Sequence, residues 1–76
     1  MLTADEVLDT YYLDVRCMLL DMAATLDRFD RAAESDGGGD AGADQRLQQI
    51  YESLDLLAER NTTPDRTERL LHLFSD

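Results

Sequence analysis

The sequence predicts an all-α protein: an antiparallel helical hairpin with a long first helix and a return arm broken into two helices, pairing with a second copy into a dimeric four-helix-type bundle. Three observations lead there. Apolar residues recur at alternating spacings of four and three along the first half, all four glycines fall between residues 37 and 42, and a shorter apolar stripe followed by Pro64 fills the rest.

The first helix is expected over 4–35. Thr3 followed three residues later by Glu6 is a capping-box pattern, and Asp5 and Glu6 place negative charge at the positive end of the helix dipole. Leu8, Tyr12, Val15, Leu19, Met22, Leu26, Phe29 and Ala33 then form a stripe with a mean period of 3.5 residues. No Gly or Pro interrupts Ala4 to Ser35, so one helix about 48 Å long is expected at 1.5 Å per residue. Asp21 is the one polar residue between 17 and 24, while Tyr11 and Met18 widen the seam and Leu13 and Leu20 lie off it. The middle of this helix is therefore expected to touch more than one partner helix.

Residues 36–43, Asp-Gly-Gly-Gly-Asp-Ala-Gly-Ala, carry no hydrophobic anchor and read as a flexible connection. Asp44 can cap a second helix over 44–60, where Leu47, Ile50, Leu54 and Leu57 repeat the stripe and Tyr51 and Ala58 broaden it. Asn61-Thr62-Thr63-Pro64 reads as a stop and restart, with Thr63 as cap and Pro64 as first residue of a third helix over 64–75. Its apolar residues are Leu70, Leu71, Leu73 and Phe74. Helices of about 17 and 12 residues span together about 44 Å, close to the first helix, which suggests a return arm laid along it within one helical domain, 1–76. Such a two-layer arrangement leaves one side of the first helix bare, and a two-fold dimer covers it.

Composition supports self-association. A 76-residue chain buries only about 60% of its unfolded surface and needs reinforcement. One cysteine, Cys17, forms no internal disulfide, and the single His72 with it makes none of the common zinc patterns. Regular packing or oligomerisation remains. The lone thiol, the absence of a basic amino-terminal region and the short apolar runs lead to the expectation of a cytoplasmic protein that neither crosses nor binds membranes. Twelve Asp and five Glu against seven Arg, with no Lys, give a net charge of -10 that repels nucleic acid and anionic lipid. This composition fits a salt-accumulating halophile, or a GC-rich genome that favours Arg, Asp, Ala and Gly codons.

No residue pattern points to catalysis, and neither an enzymatic activity nor a cofactor is expected. Asp21 lies in the most apolar stretch and calls for a partner, because an unpaired buried carboxylate is costly. With Asp14, Arg16 and Arg28 it makes a candidate polar core or interface, read either as a register-fixing ion pair or as a small-ligand site. Asp65, Glu68 and His72 form a weak metal candidate, for Glu68 and His72 share a helical face, but one imidazole among exposed carboxylates offers little selectivity. Cys17 reads as a small buried hydrophobe rather than a reactive thiol, since Arg16 points about 100° away around the helix. The glycine run lacks the Lys-Ser/Thr ending of a phosphate loop. The leading expectation is a homodimeric, non-enzymatic protein that mediates protein–protein interaction, its core built on Leu8, Tyr12, Val15, Leu19, Met22, Leu26 and Phe29. The alternatives are a small-ligand or metal-binding bundle around Asp21, and an acidic decoy of a nucleic-acid-binding protein.

Overall fold

Helices are the only regular elements among the described residues, which are 1–37, 44–60 and 63–75 of a computed structural model. They are α1 (Ala4–Ser35), α2 (Gln45–Leu57) and α3 (Arg66–Phe74). The chain divides into two compact units, Met1–Gly37 and Gly38–Asp76, the first holding α1 and the second holding α2 and α3. Most of the expected glycine-rich connection, and the Asn61-Thr62 part of the expected restart, lie outside the described residues.

α1 begins where its cap dictates. Thr3 is extended and its hydroxyl accepts from the Glu6 amide at 3.2 Å, while the Glu6 carboxylate accepts from the Thr3 amide at 3.0 Å. Two amides that the first helical turn leaves without intrahelical partners are thereby satisfied. The bond from the Thr3 amide favours the charged form of Glu6, whose carboxyl is held below the usual value, first through that amide and then through the nearby Thr3 hydroxyl. Threonines inside the helix are also accommodated, the Thr10 and Thr25 hydroxyls donating to the Glu6 and Asp21 carbonyls at 2.8 and 2.9 Å. At the far end the Asp36 amide donates to the Ala32 carbonyl and the Gly37 amide to the Glu34 carbonyl. Gly37 has φ of +86°, a left-handed conformation that a side chain disfavours and that commonly ends helices.

Within the second unit, Asp44 caps α2 through its side chain. Its Oδ1 accepts from the Arg46 amide at 2.8 Å, and the Arg46 guanidinium adds contacts at 3.1 and 2.7 Å. The Arg46 side chain, followed by its amide, pulls the Asp44 carboxyl down to about 2.

Two expected boundaries are corrected. α2 stops at Leu57 rather than at residue 60, because the chain closes through Ala58 to Leu54 and Glu59 to Leu56 and then turns. α3 starts at Arg66, not at Pro64. The Asp65 amide bonds back to the Thr63 carbonyl at 2.7 Å in a tight turn over Pro64, and the first helical bond runs from the Arg69 amide to the Asp65 carbonyl. Asp65, not Thr63, is the N-cap residue, and its side chain makes no capping bond. With 13 and 9 residues, α2 and α3 measure together about 33 Å, short of the 48 Å of α1, so the expected length match does not hold.

α2 packs on α3. Leu54, Leu56, Leu70 and Leu73 are half-buried, whereas Ile50, Leu57, Leu71 and Phe74 of the expected apolar faces stay exposed. Among the described residues no side chain of any helix is fully buried.

Candidate functional site

The apolar stripe of α1 divides into two halves. Met22, Leu26, Phe29 and Ala33 are half-buried, whereas Leu8, Tyr12, Val15 and Leu19 are exposed. Tyr11 and Met18 flank and widen the open half, and Val7, Leu13 and Leu20, which lie off the stripe, are exposed as well. Leu8, Tyr12 and Leu19 retain 61%, 64% and 57% of their full exposure. Single exposed leucines need no explanation, but a contiguous apolar face of this kind marks a contact surface.

The expected polar centre is not assembled within one chain. Asp14, Arg16, Asp21 and Arg28 are all exposed, and among the described residues none of them makes an ion pair. Asp14, Asp21 and Arg28 are spaced by seven and therefore line up along the helix about 10 Å apart, too far for contact. Asp21 uses its carbonyl to receive Thr25 and leaves its carboxylate in solvent. Cys17 is exposed too, on the side of α1 opposite the stripe.

The residues considered for a metal do not converge either. Glu68 and His72 approach to 4.0 Å on an open face, but Asp65 is turned into the junction between α2 and α3. Among the described residues no three His, Cys, Asp or Glu side chains are gathered as a metal site.

A polar cluster that the sequence reading missed lies at that junction. The Glu59 carboxylate accepts from both terminal nitrogens of Arg69, at 2.7 and 3.3 Å, and the Glu59 carbonyl accepts from the Arg66 guanidinium. The hydrogen bonds from Arg69, then its charge, hold the Glu59 carboxyl below its usual value, and Arg69 is correspondingly raised. Beside them Asp65 Oδ1 and Arg66 Nε are shielded from solvent without a hydrogen-bond partner among the described residues. Glu59 and Arg69 are ten residues apart, a separation that no periodic pattern links. The bonds from Arg66 and Arg69 to Glu59 tie the start of α3 to the residue two beyond the end of α2.

Compared with protein-family models, with curated proteins and with solved structures, the chain gives no match, so the exposed half of α1 is the feature from which its function must be argued.

Proposed function

We propose that this chain is a non-enzymatic interaction protein that acts as a self-associated helical bundle, with the Leu8–Leu19 face of α1 as its contact surface. The observation that carries the reading is the open apolar face itself: large side chains at Leu8, Tyr12, Val15 and Leu19 stand in solvent while no side chain among the described residues is fully buried. Burying one such side chain stabilises by about 1.5–3 kcal/mol, and a chain of this size has few other sources of stability. A second copy presents the same surface and so supplies a matching one without any further component. The hairpin and its closure into a dimeric bundle belong to the same proposal. An acidic, Lys-free surface then faces outward and keeps the assembly soluble and apart from nucleic acid.

The test is the native mass of the full chain across a concentration series, by light scattering, with mass spectrometry of whatever co-purifies from the host. A mass near twice the monomer, lost on Leu19→Asp, supports the reading. A chain that stays monomeric at all concentrations and behaves identically with Leu19→Asp overturns it.

A further inference from the structure

Deepening the self-association proposed above, we infer that α1 pairs with α1 of a second copy antiparallel, in one register, with the two-fold axis passing between Leu13 and Asp14. In this register Leu8 lies opposite the partner's Leu19 and Tyr12 opposite the partner's Val15, each contact occurring twice. Three observations select it.

The first is where the open surface ends. The exposed part of the stripe runs from Leu8 to Leu19, and its midpoint lies between Leu13 and Asp14. An antiparallel pair centred there covers this half and leaves the half-buried segment from Met22 to Ala33 outside the contact.

The second is the charge on the flanks. Asp9 and Arg16 each follow directly after a stripe residue, Leu8 and Val15, and so lie on the same edge of the seam. In an antiparallel two-fold pair each edge faces its own copy. The register places Asp9 beside the partner's Arg16 and Arg16 beside the partner's Asp9. Sliding by one seven-residue step in one direction brings Asp9 against Asp9; in the other direction it brings Arg16 against Arg16. Two steps in the second direction set Asp9 against Asp30. A further step pairs Arg16 with Asp30, but it lies on Met22, Leu26 and Phe29, which are already half-buried. A parallel pair instead faces the Asp9–Arg16 edge with the Tyr11–Met18 edge, so neither charge meets an opposite one.

The third is the opposite edge. Tyr11 and Met18 each precede a stripe residue, and both are exposed. The same register sets Tyr11 beside the partner's Met18, an aromatic–thioether contact that widens the dry strip where the other edge carries the ion pairs.

Charge exchange tests the register. Asp9→Arg alone makes the chain less acidic, so general repulsion between copies falls; the register nevertheless requires dimerisation to weaken at least about tenfold, because two attractive contacts become repulsive. Arg16→Asp weakens it similarly, and the double exchange restores it to within a few-fold of the starting protein. Asp9→Arg that leaves dimerisation unchanged or strengthens it overturns the register. A second measurement is independent of those changes: in a Cys17→Ala background, Leu8→Cys mixed with Leu19→Cys forms a disulfide-linked pair, and neither alone does. A linked product from Leu8→Cys alone shows parallel pairing and overturns the inference while leaving self-association standing. Failure of the unaltered chain to dimerise at any concentration removes the self-association reading itself.

Discussion

Glu59 and Arg69 are joined by two hydrogen bonds, Nη1 to Oε2 at 2.7 Å and Nη2 to Oε1 at 3.3 Å, across the turn between α2 and α3. The pair spans the junction between the end of α2 and α3, whereas Asp44–Arg46 and Glu68–His72 each lie within a few residues of one chain segment. It acts on the angle between α2 and α3 rather than on either helix.

Glu59→Gln is therefore expected to speed amide hydrogen exchange throughout α3 while leaving α1 unaffected. Arg69→Lys should have a smaller effect of the same kind, because an ammonium cannot reproduce the two-pronged contact. Uniform loss of protection in all three helices would instead make the pair a determinant of global stability.

Thr3→Ala removes the hydroxyl half of the capping box, leaving the backbone amide of residue 3 to donate to Glu6, and is expected to cost about 1 kcal/mol at the start of α1. Thr3→Ser should preserve nearly all of it. Thermal unfolding followed by circular dichroism, with exchange at the first-turn amides, measures the difference. Gly37→Ala is expected to cost about 1–2 kcal/mol at the other end, purely through the positive φ, since an added Cβ would meet no atom within 4 Å.

Acidification should fray the ends before the middle. The Asp44 carboxyl is held at about 2 against an ordinary 3.8, and Glu6 and Glu59 are lowered from 4.5. A carboxyl depressed in the folded state stabilises fully above its unfolded value, and the contribution is lost as pH falls through the folded one. Capping of α2 by Asp44 is thus intact above about pH 4 and lost toward pH 2. Amide chemical shifts of Glu6 and Arg46, titrated from pH 6 to 2, follow the loss of each cap.

Screening should stabilise. With a net charge of -10 and no Lys, the transition temperature is expected to rise as KCl goes from low to molar concentration, where the screening length falls to about 3 Å. A flat response would show that the acids are too far apart to repel appreciably and would favour codon composition as their origin.

α1 was legible in the sequence from end to end, because three independent signals agreed: the Thr3–Glu6 box, the eight-residue stripe and the absence of Gly and Pro. The later boundaries were not. The stop at Leu57 and the start at Arg66 depend on Glu59 reaching Arg66 and Arg69, a tertiary contact that neither periodicity nor a capping rule encodes. Pro64 and Thr63 fit a helix start by local preference, yet the Asp65 amide was drawn to the Thr63 carbonyl and the turn took the place of a first helical residue. For the surface, the pattern identified which residues share a face but not which of them are exposed. Asp21 shows the same limit, since an apolar neighbourhood in sequence produces burial only where another helix covers it.

An α1 whose apolar face is open from Leu8 to Leu19 has one further consequence. Under the proposed self-association, the folded population would depend on how many copies are present, rising steeply around the dissociation constant. Below that level the chains would spend their time with leucines and tyrosines bare, in the state that proteases and chaperones engage; above it they would be protected. Abundance would then be set by assembly as much as by synthesis, and a copy without a companion would be short-lived.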